Sequence, residues 1–354
     1  MTEKRQTSRV TMADVAKAAG CSQATVSLVL NEVMEIKISQ ELRARVLASA
    51  RKLGYGQAGP IKRSALEGIR GSSIGFIVNQ LTTTPEAINA IEGARQASWE
   101  HNVTLLIAQT LDRPDHEEMA VERLLRAGVD GVIYMSIFTR RVDMNPIFKR
   151  LSVPLVLLNC YTTDGEFPAV VPDEVEGGRR ATATLLELGH QRVATVTGEM
   201  YMDAAQARLV GYNKAHAEAK IETNPDYVTG GNWTPSSGYD ATRKLMSLKY
   251  PPTAIFCQND KMALGCLNAL FDLGLRVPED VSIIGYDDDE ICRHIRPQLS
   301  SVDLPHRTMG AWAVAELFRH KQRVPHYEVT KIDCAFIARS SSTLPPPLFT
   351  TDNL

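Results

Sequence analysis

Short aliphatic runs alternate with amphipathic segments along most of the chain. The runs are nearly continuous in aliphatic residues and occupy positions 74–79, 104–110, 131–137, 154–159, 192–198, 254–260 and 282–288. Strands that are buried on both faces of a parallel sheet have this pattern. Apolar residues recur at helical spacing between the runs, as in 87–99, 117–126 and 177–188, which predicts crossover helices. The pattern therefore predicts a parallel α/β body.

The length of this body indicates how it is divided. About 280 residues follow position 73, more than one domain ordinarily contains. We therefore expect two doubly wound lobes. Their binding cleft should lie between them, at the carboxyl ends of the strands.

The amino-terminal residues have a helical pattern instead. Thr11 and Asp14 have the spacing of a capping box before a helix that Gly20 ends, and Ser22 is placed to cap a second helix of two turns. A third helix is predicted over 39–53. Two short helices joined by a tight turn are typical of the helix-turn-helix, whose second helix enters the major groove of DNA. On spacing alone, a plain helical hairpin remains open.

Charge separates the two regions. The whole chain is close to neutral, at −2, but residues 1–70 contain twelve Lys and Arg against six Asp and Glu, which leaves the remainder at −8. A basic head on an acidic body suits a polyanion such as DNA. A solvated helical surface of mixed charge gives the same arithmetic, so this observation is not decisive.

Composition excludes several classes of protein. With 44% apolar and 23% charged residues the chain is not intrinsically disordered, and it has no apolar run of about 18 residues that would span a membrane. The six cysteines are widely spaced, and no Cys-x-x-Cys pair suggests a metal site. The polar amino terminus does not have the pattern of a secretory signal. We expect a cytoplasmic protein without a metal or other cofactor.

The amino-terminal region closely resembles the head of the LacI/GalR family of bacterial transcriptional regulators. The resemblance is carried by VTMADVAKAAGCSQATVS over 10–27, then by Val29-Leu30-Asn31, Arg43-x-Arg45-Val46-Leu47 and Leu53-Gly54-Tyr55. It implies a sequence-specific DNA-binding repressor whose DNA-contacting residues are Thr11, Ser22, Gln23, Ala24, Thr25, Ser27, Leu28, Asn31 and Leu66. Within this set the resemblance makes Gln23, Ala24 and Leu28 the base readers. Leu28 departs from the usual arginine and offers only apolar contact to a thymine methyl, so a different operator is expected.

A stretch rich in Gly, Ser and basic residues joins the head to the body. The resemblance implies a short hinge helix here, with Leu66 wedged into the minor groove. Counting back from Ile74 selects Leu66, whereas counting forward from Tyr55 selects Ser64, so the linker is two residues longer than usual. A flexible tether therefore remains open. The expected domains are the head over 1–58, the hinge linker over 59–73, the effector-binding and dimerisation domain over 74–345 and the tail over 346–354.

Polar residues gather where the predicted strands end. These are Asn79, Ser136, Asn159, Asn259-Asp260 and Asp287-Asp288-Asp289. Each could be an ordinary turn former, but together with Arg208 and Trp233 they supply the acceptors, the guanidinium and the aromatic face that a sugar requires.

The resemblance extends over the body to about Ser342. It is carried by Leu188-Gly189-His190-x-Arg192-Val193, Arg208-Leu209-x-Gly211-Tyr212, Asn259-Asp260-x-Met262-Ala263-x-Gly265, Val277-Pro278-x-Asp280-Val281-Ser282 and Gly285-Tyr286-Asp287-Asp288. It implies effector contacts from Asn79, Asn159, Arg208, Trp233, Asn259 and Asp287, a further contact from His306, and a bracing role for Asp260. It also implies a homodimer on a pseudopalindromic operator. The tail has no leucine heptad, which predicts no tail-built tetramer.

Three other kinds of protein are to be weighed against this interpretation. No phosphate-binding loop, nucleophile elbow or metal spacing points to an enzyme, and no catalytic residue is assigned. An extracytoplasmic sugar-binding protein would share the two-lobed, periplasmic-binding-protein-like body, but it would need a signal peptide and no basic head. A regulator that needs a purine-like corepressor, instead of a sugar that releases DNA, is less well separated by sequence.

Overall fold

The structure is a computed structural model that describes residues 11–30, 38–53, 72–81, 85–319 and 326–346. The chain divides into two compact units, residues 1–70 and 71–354. Asn31, Leu66 and most of the predicted hinge linker lie outside the described residues.

The head is a bundle of three helices, α1 (Met12–Ala19), α2 (Gln23–Leu30) and α3 (Gln40–Leu53). The predicted caps are present: Thr11 and Asp14 form a capping box, and Ser22 accepts a hydrogen bond from the Thr25 N–H. Gly20 has φ +64°, a left-handed conformation that favours glycine between the first two helices. The bundle encloses a small buried core made of Val15, Ala16, Ala19, Val26, Val29, Val46 and Ala50. The helix-turn-helix prediction is confirmed.

The body contains the remaining elements. In chain order they are β1 (Ser73–Val78), α4 (Pro85–Glu100), β2 (Thr104–Gln109), α5 (Pro114–Ala127), β3 (Gly131–Arg141), α6 (Pro146–Lys149), β4 (Leu155–Tyr161), β5 (Ala169–Pro172), α7 (Glu174–Glu187), β6 (Val193–Thr197), α8 (Asp203–Ala219), β7 (Val228–Gly230), α9 (Pro235–Met246), β8 (Ala254–Cys257), α10 (Asp260–Asp272), β9 (Ser282–Ile284), α11 (Ile291–His294), β10 (Ser301–Val302), α12 (His306–Arg319), β11 (Val329–Ile332) and β12 (Phe336–Ile337).

Two parallel sheets form the two lobes that the sequence predicts. Lobe 1 has six strands in the order β11-β5-β4-β3-β1-β2, and lobe 2 has four in the order β7-β6-β8-β9. All neighbouring strands within each sheet run parallel. Each lobe has buried aliphatic residues on both faces of its sheet, which is why the strands are almost continuously apolar in sequence.

The chain passes between the lobes three times. It leaves lobe 1 between β5 and α7, returns between β10 and α12, and leaves again between β11 and β12. Helix α12 therefore packs on α4 of lobe 1, although the two helices lie near opposite ends of the body's sequence. The carboxyl ends of the strands in both lobes face these crossings, where the predicted cleft lies.

All seven predicted strand runs contain a strand, and the three predicted crossover helices lie within α4, α5 and α7, apart from the last residue of the third. The last run ends earlier than predicted. Strand β9 stops at Ile284, and Asp287 lies beyond it in an isolated bridge to Asp303. Strands β5, β7, β10, β11 and β12 lie outside the predicted runs, because each has only two to four residues.

Candidate functional site

A cavity of about 90 Å³ lies between the two lobes. Lobe 1 and the first crossing supply Thr139, Asn159 and Glu174 to its wall, and lobe 2 supplies Arg208 and Trp233. The lining also contains Glu86, Ile137, Phe138, Met202, Ala204, Asn259, Lys261, Asp287, Leu304 and His306. Five of the six predicted effector residues are thereby brought together. The sixth, Asn79, lines a neighbouring cavity.

Arg208 on α8 is firmly anchored in this cavity. Its guanidinium donates to both carboxylate oxygens of Glu174, at 2.7 and 3.0 Å, and also to the main-chain oxygen of Gln258. The guanidinium carbon lies 3.7 Å from the centre of the Tyr286 ring. Burial alone would lower the pKa of Arg208, but Glu174, Tyr286 and Asp287 together hold it above its usual value. The cation is therefore fixed in one orientation.

Asp287 presents a carboxylate to the same space. Its backbone has φ +112°, and one carboxylate oxygen lies 3.7 Å from an Arg208 nitrogen. Burial raises the pKa of Asp287 well above its usual range, against the opposing effect of Arg208. A buried carboxyl at this distance from its cation is suited to accept hydrogen bonds from a ligand.

Trp233 and Asn259 form a connected pair beside Arg208. The Asn259 amide donates to the Trp233 main-chain oxygen at 3.1 Å, while its side-chain oxygen accepts from the Met262 N–H as the cap of α10. Trp233 has φ +67°, and its indole N–H donates to the Met202 sulfur. These contacts fix an aromatic face in the cavity.

Asn159 is fully engaged within lobe 1. Its side-chain oxygen accepts from the Thr139 hydroxyl at 2.7 Å, and its amide nitrogen donates to the main-chain oxygens of Ser136 and Ile137. Asn79 is held in the same way, because it donates to Asp112 and accepts from the Ile137 N–H. In this conformation both amides shape the wall of the cleft.

Among the cavity residues that sequence reasoning missed are both of its glutamates. Glu174 stands at the start of α7 and resembles an ordinary first-turn acid, but it is 4% exposed and pairs with Arg208. Glu86, in the first turn of α4, has a buried carboxylate oxygen without a hydrogen-bond partner among the described residues. What identifies Glu174 is its contact with Arg208, and this contact between distant segments cannot be read from the sequence.

His306 also lines the cavity. The residue is 2% exposed, and its Nε2 atom has no hydrogen-bond partner in the part of the chain that the structure describes. Burial, aided by the positive charge of Arg208, lowers the pKa of His306 to about 3. The imidazole is therefore neutral near pH 7 and offers one ring nitrogen to a ligand.

Asp260 braces the loop that carries Asp287. Its carboxylate accepts from the Ser301 hydroxyl at 2.7 Å and from the Asp289 N–H at 2.8 Å. Burial raises its pKa to about 7. The residue does not line the cavity itself, in keeping with the bracing role expected from the family resemblance.

In the head, the predicted DNA-contacting residues that the structure describes lie on α2 or directly before it, apart from Thr11 before α1. Gln23 is exposed at the start of α2, and Leu28 is half-buried on the same helix. The hydroxyls of Thr11, Ser22 and Thr25 take part in the caps, where Thr11 bonds Asp14 and Ser22 bonds Thr25. Ala24 and Ser27 belong to α2 as well. The buried positions Val26 and Val29 pack in the core of the head, which leaves Gln23 on the exposed face of α2.

Neither a metal centre nor a membrane-spanning helix is found among the described residues. Over these ranges, no group of three or more His, Cys, Asp or Glu side chains could hold a metal ion. Among the same residues, no helix combines the length and the apolar character needed to cross a membrane.

Comparison with known proteins agrees with this architecture. A sequence profile for bacterial regulatory proteins of the lacI family matches residues 11–57, and one for a periplasmic binding protein-like domain matches residues 182–342. The HTH-type transcriptional repressor PurR of Haemophilus influenzae (strain PittEE) is 32% identical over 335 residues, which cover 94% of this chain and 98% of that protein.

Two solved structures are similar over nearly the whole chain. The transcriptional regulator CelR–cellobiose complex has a TM-score of 0.63 and 27% identity, and the match covers 94% of this chain and all of that one. The lac repressor dimer bound to operator and the anti-inducer ONPF has a TM-score of 0.64 and 25% identity, covering 95% of this chain and all of that one.

The head, the two-lobed body and these matches define a DNA-binding transcriptional regulator. The chain belongs to the lacI family of bacterial regulatory proteins.

Proposed function

We propose that this protein is a cytoplasmic repressor that binds a pseudopalindromic operator as a homodimer and releases it when a sugar fills the cavity between the lobes. Its domains are the head over 1–58, the hinge linker over 59–73, the effector-binding and dimerisation domain over 74–345 and the tail over 346–354. The protein acts by binding, with no catalytic residue, metal or cofactor.

One observation carries the proposal of a sugar effector. Three groups line one small cavity: the fixed guanidinium of Arg208, the carboxyl of Asp287, which lies 3.7 Å from that guanidinium, and the indole of Trp233. Sugars present hydroxyl donors and acceptors around an apolar ring face, and they require this mixture of groups. The cellobiose complex of a regulator with the same fold adds support.

The DNA side of the proposal rests on the head. Helix α2 is the second helix of the helix-turn-helix, and we assign base reading to Gln23, Ala24 and Leu28 on it. The hydroxyl residues Thr11, Ser22, Thr25 and Ser27 are proposed to contact phosphates, with Asn31 and Leu66 as further DNA contacts. A relative solved as a dimer on its operator supports the dimeric arrangement.

A second candidate is a purine-like corepressor that strengthens operator binding. The observation that favours it is the identity of 32% with a repressor named PurR. The neutral His306 and the aromatic Trp233 would also suit a planar base.

The two candidates predict opposite effects of the ligand on operator affinity, so measuring operator binding with and without each ligand distinguishes them. The purified protein first selects its operator from a random DNA library, and the selected DNA is then titrated in the presence of single sugars or single purine bases. Weaker DNA binding with a sugar supports the first proposal. Tighter binding with a purine base, and no effect of any sugar, would replace it with the second.

A further inference from the structure

We propose that the effector has at least two sugar rings, one in the inner cavity at Arg208 and the second in an outer chamber at the mouth of the cleft. The outer chamber is the cavity lined by Asn79, Phe138, Arg141, Tyr161, Tyr201 and Asp203, among others. This inference rests on the proposed function, in which the cleft binds a sugar.

The inner cavity alone is small for an effector site. It has about 90 Å³, whereas ordinary ligand pockets have roughly 300–1,000 Å³. The outer chamber has about 610 Å³, within that range. The two cavities share Phe138, Thr139 and Met202 in their walls, so they lie side by side.

Aromatic side chains line the outer chamber from both lobes. Phe138 and Tyr161 belong to lobe 1, and Tyr201 belongs to the loop before α8 in lobe 2. Tyr201 is 73% exposed and Phe138 is 40% exposed, although both are large apolar groups. Exposed aromatic rings beside a polar cleft provide faces on which the C–H groups of a second sugar ring can lie.

Polar groups that line the outer chamber can form hydrogen bonds with the hydroxyl groups of a sugar. Asp203 accepts from the Tyr161 hydroxyl and the Arg141 main-chain N–H, both at 3.1 Å, which joins the two lobes across the opening. Arg141 lines the chamber, and its guanidinium forms no ion pair among the described residues. Its N–H groups can therefore donate to a ligand, and the Asp203 carboxylate has further acceptor capacity.

Charge favours an uncharged second ring over a phosphate. The outer chamber holds two cations, Arg140 and Arg141, and two carboxylates, Asp112 and Asp203, and Arg140 is already paired with Asp112 at 2.6 Å. The inner cavity holds three carboxylates against two cations, with Glu86, Glu174 and Asp287 opposite Arg208 and Lys261. Neither space has the excess of positive charge that a phosphorylated sugar would need.

Paired sugars test this proposal. Calorimetric titration of the full chain compares glucose with cellobiose and maltose, and galactose with lactose and melibiose. We expect one disaccharide to bind at least tenfold more tightly than the monosaccharide from which it is built. Tyr201→Ala should weaken that disaccharide about fivefold and change monosaccharide binding less than about twofold.

Tyr250→Ala is the matched control, because Tyr250 is also exposed on lobe 2, at 64%, but does not line either cavity. Equal binding of monosaccharide and disaccharide, or equal effects of Tyr201→Ala on both, would overturn the outer site while leaving a sugar effector intact. Purine binding with no binding of any sugar would overturn the proposed sugar effector as well.

Discussion

The ion pair between Arg208 and Glu174 is the residue-scale feature that orders the cavity. Both side chains are 4% exposed, so each needs the other to compensate for lost hydration. We predict that Glu174→Gln lowers the free energy of unfolding by about 3 kcal/mol, since it leaves the Arg208 cation buried without its carboxylate. Urea unfolding measures the change. Glu122→Gln, which alters an ion pair whose side chains are 75% and 61% exposed, should cost less than about 1 kcal/mol.

The low pKa of His306 leads us to predict that the stability of the fold depends on pH. Its pKa is about 3 in the folded protein and about 6.5 when unfolded, so the unfolded state binds the proton first. The contribution of the neutral imidazole is present above pH 6.5 and is lost as the pH falls from there towards 3. His306→Gln should therefore flatten the fall in stability below pH 6.5, by up to about 1.4 kcal/mol per pH unit. Urea unfolding at a series of pH values measures the slope.

A second buried group, Asp260, also makes stability depend on pH, and the comparison of wild type with His306→Gln removes its contribution. Burial raises the pKa of Asp260 from 3.8 to about 7, so this carboxyl contributes stability at low pH that is lost as the pH rises through 7. That contribution is common to the wild type and the variant and cancels in their difference. His294→Gln, which removes an exposed imidazole, is the matched control variant. Identical slopes for wild type and His306→Gln would contradict the assignment.

The leucine at position 28 leads to a prediction about the base sequence of the operator. Leucine offers apolar contact to a thymine methyl, whereas arginine donates two hydrogen bonds to guanine. Leu28→Arg should therefore select a guanine at one position of each half-site, with a preference of about 1–3 kcal/mol over the other bases. Selection from a random library reads this directly, and Leu28→Ala serves as the control that should gain no guanine. An unchanged consensus for Leu28→Arg would remove position 28 from the base readers.

At the scale of elements, the end of β6 controls the position of the Trp233 ring. A Cβ atom added at Gly198, directly after the strand, would collide with the indole, so Gly198→Ala must displace Trp233. We predict at least about tenfold weaker effector binding with the fold retained, a loss of about 1.4 kcal/mol. Calorimetry and circular dichroism measure the two properties. Gly230→Ala, where an added Cβ meets nothing within 4 Å, should bind like the wild type, and equal binding by both variants would exclude Trp233 from the site.

The same scale shows how far sequence predicts this fold. Strands buried on both faces, such as β1 and β4, are predicted because almost all of their residues are apolar. The two-residue strands β10 and β12 are not, because their pairing joins segments that are distant in sequence. The cavity is only partly predicted for the same reason: Arg208 and Asp287 belong to recognisable motifs, whereas Glu174 and Glu86 gain their roles only when distant segments meet.

At the scale of the whole molecule, the account requires that effector binding in the cleft and DNA binding by the head depend on the same conformational equilibrium. Effector binding can change operator affinity only if the effector prefers the conformation that binds DNA less well. A coupling free energy of about 1–3 kcal/mol changes affinity about 5–150-fold. Linkage then requires that operator DNA changes effector affinity by the same factor.

The most direct test measures all four affinities of this cycle in one buffer at fixed salt. Fluorescence anisotropy gives operator affinity with and without the effector, and calorimetry gives effector affinity with and without the operator. We predict that effector weakens operator binding by about 5–150-fold and that operator weakens effector binding by the same factor. Operator affinity that stays the same when the cleft is saturated would contradict the coupling between cleft and head.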